Sequence, residues 1–421
     1  MSLRFIHTAD IHLGKTYRHG GCEVARSEDF FTCLAGIVND ALVEEVNFVL
    51  IAGDLFHTGQ ILPRTFARTI EILQPLKEAG IPCVAVEGNH DWIHRRDSIS
   101  WMEALSQMGY IRLLRPTRTA EGGYLFEPFD EEQGCGGHLV VGDLNIYGLG
   151  YIGAQAGNHV PRICEAVTTE NNLLLFHVGI WTFSPVEIGN MKPEEALPLA
   201  DRFGYVALGH GHKPYLVETP EGRPYGFNPG SPERVNFGEQ RYDKGYYLVT
   251  VENGYFHHTF RSTDPRPMHA VTIDLDGTSD AETALENVHR QLREALDTGQ
   301  DERRPLVALK LVGRVAFHPF ELGRERLFTV LEEVCRPLHA EIRNHLSLVT
   351  RSSDSASAKK SLADIEKEVL HELVGANSQY KDRQDELVAL SLSIRDLVLK
   401  GEVSDDELLG ILARDANIDK K

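Results

Sequence analysis

The sequence predicts an α/β fold with its chemistry at the carboxyl ends of buried strands. Three observations lead there. Short continuous apolar runs recur through the first half of the chain, each running into a polar, often glycine-marked turn. The segments between them read as helices, and Asp, Asn or His stands at the end of each run.

The first run, "FIHTADIHLGK" (Phe5 to Lys15), delivers Asp10 and His12 before a glycine. Ser27 to Val46 follows as a helix, with Ser27 a candidate N-cap and Phe30, Phe31, Leu34, Ile37, Val38 and Leu42 at helical spacing. Four further strands are read in "FVLIAGD" (Phe48 to Asp54), "CVAVEGNHD" (Cys83 to Asp91), "LLLFHVG" (Leu173 to Gly179) and "VALGHGH" (Val206 to His212). Glycine-rich Gly134 to Gly157 holds another in "VGDLNIYGLGY", which begins the second half of the sheet system.

The prolines of "DPRPM" mark a boundary near residue 265. Beyond it "HAVTIDL", a helix near Glu282 to Leu296, "PLVALKLVG" and a helix near Glu325 to Cys335 form a βαβα unit, giving domains at 1–265 and 266–349. Serine-rich 350–361 reads as a linker. In 362–421, Leu362, Ile365, Val369, Leu370, Leu373 and Val374, then Leu387, Leu390, Ile394, Leu397 and Val398, outline amphipathic helices. Their stripes either pack on the chain itself or dock a partner helix.

Composition narrows the function. A net charge of −19, from 43 Lys and Arg against 62 Asp and Glu, argues against coating nucleic acid through a generally basic surface. A phosphate-rich substrate must then be gripped locally, for which bound divalent cations would serve. No apolar stretch is long enough to span a bilayer and the first residues lack a signal peptide's features, so the expected location is the cytoplasm, with no membrane partner. Six scattered cysteines without a Cys-x-x-Cys pair read as buried free thiols.

The strand ends collect Asp10, His12, Asp54, Asn89, His90, His177, His210 and His212. Carboxylate and amide oxygens mixed with imidazoles suit Mn²⁺, Fe²⁺ or Zn²⁺, and the absence of thiolates disfavours structural zinc. Spacing of two residues at a strand end would point Asp10 with His12, and His210 with His212, to one side. Asp54 has two oxygens with which it could bridge two ions. With 19 histidines in the chain each motif is weak alone, and it is the ordered series that carries the inference.

The series "DIH", "GDLFH", "GNHD", "HVG" and "GHGH" resembles the calcineurin-like metallophosphoesterases over about the first 240 residues. "HTADIHLGK", "IAGDLFH" and "NPGSPER" (Asn228 to Arg234) look like the SbcD-type DNA repair exonucleases, and the length is similar to the YhaO-like branch. The resemblance implies a four-layer αββα sandwich, a smaller α+β capping domain that recognises DNA, and C-terminal helices that bind the coiled coil of an SbcC-like ATPase. It also implies two divalent metals, with Mn²⁺ expected, and a homodimer. One metal would lie on Asp10, His12 and His212, the other on Asn89, His177 and His210, with Asp54 between them. His90 matches the family's catalytic histidine and His57 one that the nuclease branch keeps; the alternatives are a third ligand and an orienting residue respectively.

Asp91 either orients one of these histidines or caps the following turn. Arg95 and Arg96 in "HRRDS", with Arg112, Arg115 and Arg118, are candidate phosphate contacts or a solvated face. The leading function is a DNA exonuclease/endonuclease working in DNA-end repair. A small-molecule or cyclic-nucleotide phosphodiesterase and a catalytically inactive scaffold are the alternatives. No Gly-x-x-x-x-Gly-Lys-Ser/Thr loop is present, so an ATP-driven step would come from a partner.

Overall fold

A computed structural model describes residues 2–16, 21–92, 98–183, 188–296, 303–349, 362–375 and 383–400. The linker read at 350–361 and the end of the chain beyond 400 lie outside the described residues. By its contacts the chain divides into two compact units, Met1–Ile273 with Asn287–Leu311 and Arg324–Arg343, and Asp274–Glu286 with Val312–Gly323 and Asn344–Lys421.

Within Met1–Ile273 two six-stranded sheets face each other. The first is built from β1 (Leu3–Thr8), α1 (Glu23–Val43), β2 (Phe48–Ile51), α2 (Pro63–Glu78), β3 (Cys83–Ala85), α3 (Trp101–Gln107) and β4 (Arg112–Leu113). Strands β1 to β4 run parallel, with Phe5 opposite Phe48 and Val49 opposite Cys83, and Gly245–Glu252 closes antiparallel onto β1. The second sheet runs Tyr215–Glu218, Pro224–Asn228, Tyr205–Leu208, Asn172–Phe176, Leu144–Leu149, His138–Val141.

Alternation along the strands divides the core into layers. Phe5, Phe48, Leu50 and Val84 pack inward with Leu173, Leu175, Tyr205 and Phe227 of the other sheet. Ile6, Val49, Ile51 and Ala85 face the other way, toward Phe30, Leu34, Ile37 and Val38 of α1 and Ile72, Leu73 and Leu76 of α2. Leu174, Phe176, Val206 and Leu208 likewise pack with Val160 and Ile163 of a short helix on the far face. Helix, sheet, sheet, helix is the expected sandwich.

Three expectations need correction. Helix α1 begins at Glu23, four residues before Ser27, and its N-cap position, Cys22, makes no side-chain cap. It ends at Val43 rather than Val46, because Glu45 turns left-handed (φ 48°) and Val46 N–H closes back on the Ala41 carbonyl at 3.1 Å. Cys22, Cys33 and Cys83 are buried free thiols, but Cys135 is exposed.

After residue 265 the elements are Met268–Asp274, Ala281–Ala295, Leu306–Val315, Arg324–Cys335 and His339–Leu348, the strands forming a three-stranded sheet in chain order. The third strand was not read from sequence. Helices Leu362–Gly375 and Gln384–Lys400 follow, with Ile365, Val369 and Leu373 exposed at four-residue spacing and Val388 buried. Among the described residues no helix is long and apolar enough to cross a membrane.

Phe227 stacks on Tyr205 at 4.0 Å between the sheets and is 1% exposed. Phe227→Ala is expected to cost about 3–5 kcal/mol, read as a lower urea midpoint at unchanged slope. A loss below about 1 kcal/mol would mean that the two sheets can collapse around the void.

Candidate metal centre

The loops leaving β1 and β2 lie side by side. Asp10 N–H donates to the Gly53 carbonyl (3.1 Å), His12 N–H to Asp54 (3.0 Å) and Leu13 N–H to Leu55 (2.9 Å). The residues that matter are left-handed: φ is 53° at Asp10 and His12, 52° at Asp54 and 76° at His210. Asp10 with His12 and His210 with His212 therefore stand beyond the strand pleat expected to align them, since β1 ends at Thr8 and the later strand at Leu208. Left-handed backbone at non-glycine residues is costly and gathers where surrounding structure over-determines it.

Two glycines make room. A Cβ on Gly53 would stand 2.2 Å from His177 Nδ1, and one on Gly88 2.0 Å from Asp54 Oδ1. Asp91 is buried and its carboxylate accepts three backbone N–H groups, from Phe56 (2.8 Å), Leu55 (3.2 Å) and Gly88 (2.9 Å). Both oxygens thus clamp the β2 loop to the β3 loop, a role outside the two expected for Asp91.

The ring nitrogens face inward as a consequence of where their partners lie. His177 Nδ1–H donates to the Ala52 carbonyl (2.7 Å), which leaves Nε2 3.1 Å from Asn89 Oδ1 and 3.7 Å from Asp54 Oδ2. His210 Nε2–H donates to the Ile188 carbonyl (2.8 Å), leaving Nδ1 2.9 Å from the same Asn89 oxygen. His212 Nδ1–H donates to Glu239 Oε1 (2.9 Å), leaving Nε2 3.0 Å from His12 Nε2, itself 3.8 Å from Asp54 Oδ2. One Asp54 oxygen therefore faces both halves of the cluster. The other accepts His90 N–H at 2.9 Å.

Lone pairs converging on lone pairs call for a cation. Asp10 Oδ1 accepts His210 N–H (3.0 Å), whereas Oδ2 is buried without a hydrogen-bond partner among the described residues. Asp10 with His12 and His212, Asp10 with Asp54 and His177, and His12 with His57 and His90 each offer ligand atoms within 4.8 Å of one another. The donor set fits divalent ions.

Comparison with known proteins agrees with this geometry. The calcineurin-like phosphoesterase family profile matches residues 3–214, just over half of the chain. The chain belongs to the calcineurin-like phosphoesterase family. It is a metal-dependent phosphoesterase. Among curated proteins it is similar to the DNA double-strand break repair protein Mre11 of Archaeoglobus fulgidus, 26% identical over 79% of this chain and 75% of the relative. Mre11 of Sulfurisphaera tokodaii is 26% identical over 74% of each chain. Mre11 of Halobacterium salinarum reaches 30% over 59% of this chain and 57% of its own.

Burial sets the charge states in this phosphoesterase site. It raises Asp10 to about 6 against the pull of His212 and His177. Burial and the neighbouring His212, His90 and His57 hold His12 well below the ordinary value. His57 is lowered to about 4 by burial and the Lys15 ammonium, and His210 to about 4 by burial and His177. For His212 burial is outweighed by the Glu239 hydrogen bond and the Asp10 charge, and the net direction is up.

Several residues went unread in the sequence. Glu239 orients His212, and its other oxygen takes the buried Lys244 ammonium at 2.6 Å. Nothing in residue spacing marks this pair. The quoted "NPGSPER" stretch supports the same loop: Asn228 Nδ2 donates to the Gly211 (2.6 Å) and Lys213 (2.8 Å) carbonyls, and Ser231 Oγ accepts from Lys244 (2.7 Å). Lys15 Nζ lies 3.3 Å from His57 Nε2. Of the arginines, Arg95 and Arg96 lie outside the described residues, while Arg112 pairs with Glu131 (2.8 Å) and Arg115 with Glu87 (2.9 Å).

Glu239→Gln is expected to lower Mn²⁺ affinity about tenfold by calorimetric titration, since it removes the charge that orients His212. Unchanged affinity would leave Glu239 as a support for Lys244 alone. As ligands, Asp10 and His212 would have to release the protons that their surroundings hold. Apparent Mn²⁺ affinity is therefore expected to fall already as pH drops from 7, through His212, whose proton is held more tightly than an ordinary histidine's, and by about tenfold per pH unit or more below about 6, where Asp10 joins it. A flat profile from pH 7 to 5 would contradict that assignment.

Proposed function

We propose that this phosphoesterase is a two-metal DNA exonuclease/endonuclease acting at DNA double-strand breaks, with Mn²⁺ as the native ion. The observation that carries the reading is the His57–His90 pair at the metal centre: the rings stack at 5.2 Å with 17° between planes, and His90 Nδ1–H donates to the His57 carbonyl at 2.7 Å. The chain's similarity to Mre11, a DNA double-strand break repair protein, supports the DNA substrate.

Asp10, His12 and His212 would hold one ion, Asn89, His177 and His210 the other, and Asp54 both. When bound, the ions supply Lewis acidity toward the phosphate oxygens and a water acidified enough to attack at neutral pH. The chain does the rest. His90, with Nδ1–H held by the His57 carbonyl, has Nε2 left to give a proton to the leaving sugar oxygen when the P–O bond breaks. His57, kept neutral by burial, is assigned the positioning of His90 rather than proton donation. Asp91 ties together the two loops that carry them.

Residues 266–349 would serve as the DNA-capping domain. The exposed stripe of Ile365, Val369 and Leu373 would dock the coiled coil of an SbcC-like ATPase, with a homodimer as the working form and the cytoplasm as its location.

The test compares Mn²⁺-dependent cleavage of linear and hairpin DNA with hydrolysis of bis-p-nitrophenyl phosphate. His90→Ala is expected to slow DNA turnover about 10²- to 10⁴-fold with Mn²⁺ binding nearly intact, and Asp54→Ala to lose Mn²⁺ binding. Hydrolysis of the small ester with no DNA cleavage, even with the ATPase present, would replace the nuclease reading by the small-molecule phosphodiesterase.

A further inference from the structure

We propose that a pocket beside the metal centre, walled by Trp92 and Tyr151, receives one unstacked nucleobase of the strand being cut; this rests on the nuclease reading. The cavity is about 260 Å³ and is lined by Trp92, Tyr151, Tyr124, Pro116, Arg115 and Arg118 among others. Its wall is continuous with the metal centre. The Tyr151 ring lies 5.5 Å from the His210 ring and 6.1 Å from the His177 ring, and Trp92, two residues beyond His90, lies 5.8 Å from Tyr151.

The pocket is built rather than incidental. Tyr151 N–H donates to the Glu87 carbonyl (2.8 Å), and a Cβ on Gly150 would stand 2.7 Å from that same oxygen, so only glycine lets the floor close onto the β3 loop. Tyr151 Oη–H donates to the Ile188 carbonyl (3.2 Å), the acceptor that also orients His210. The pocket and one candidate ligand therefore share a carbonyl.

Its chemistry selects the occupant. Trp92 is 56% exposed, an indole left in water at the lip of the site. Arg115 is neutralised by Glu87 (2.9 Å) and Glu103 (3.3 Å), but Arg118 is exposed, stands 5.7 Å from the Tyr124 ring centroid and has no carboxylate partner among the described residues. Flat π faces with the Arg118 guanidinium, which also donates to the Tyr124 hydroxyl (3.4 Å), suit a base stacked on its face and an adjoining phosphate. Such stacking tolerates any base, because every base has a π face. A base that leaves its neighbours next to the scissile phosphate would seat there while its phosphodiester stays at the metals.

The test is steady-state cleavage of an oligonucleotide and of the same oligonucleotide carrying tetrahydrofuran abasic sugars on either side of the cut. Trp92→Ala is expected to raise KM on the base-bearing strand about tenfold with kcat little changed, and Trp92→Phe to recover most of the loss. On the abasic strand the parent enzyme should lose the same advantage, so that it and Trp92→Ala converge. Equal KM for parent and Trp92→Ala on the base-bearing strand, or an equal loss on both strands, overturns the base pocket alone. Absence of cleavage of either strand by the parent enzyme overturns the nuclease reading and the pocket with it.

Discussion

The acceptance of three backbone N–H groups by the Asp91 carboxylate is the interaction on which the rest depends. Leu55, Phe56 and Gly88 lie on two different strand-end loops, and one buried side chain ties them together. Asp54 precedes the first pair, and Asn89 and His90 follow the glycine, so the clamp sets the separation between the carboxylate that faces both halves of the cluster and the residues it must meet. Burial and the Asp54 charge push the Asp91 carboxyl well up, and the backbone donors from Gly88 and Phe56 oppose that shift. Unmet, those donors would each be a buried polar group without a partner.

A second constraint comes from charge. The chain carries −19, and two of its candidate phosphate-binding arginines, Arg112 and Arg115, are already held by carboxylates. What attraction it has for phosphate must be concentrated where the buried donors converge, at strand ends walled by apolar layers. The sandwich supplies that location, because both sheets direct parallel strands toward the same cluster.

Much of this was legible in the sequence for a physical reason. A strand buried on both faces must be apolar along its length, so "FVLI" and "LLLF" announce themselves, and the polar residues at their ends cannot belong to the core. Ligand types and chain order could be read from that contrast alone. What could not be read depends on where the chain returns. Glu239 meets His212 only because the stretch around Asn228 and Ser231 folds back beneath the histidine loop. Ser27 satisfied the local rule for a helix start, yet α1 begins earlier, with Phe30, Phe31 and Leu34 packed against the sheet, and tertiary burial outweighs the cap preference. The left-handed turns at Asp10, His12 and Asp54 are invisible to a strand-period argument, since the period ends where they begin.

Those turns have a consequence for the loading of the site. The turns at Asp10 and His12 are pinned by main-chain bonds to the neighbouring loop, one carboxylate oxygen each of Asp10 and Asp54 is taken by a backbone N–H, and His177 and His212 each have one ring nitrogen committed. An arriving ion would thus meet donors already set in place, and holding it would ask for little reorganisation of the chain.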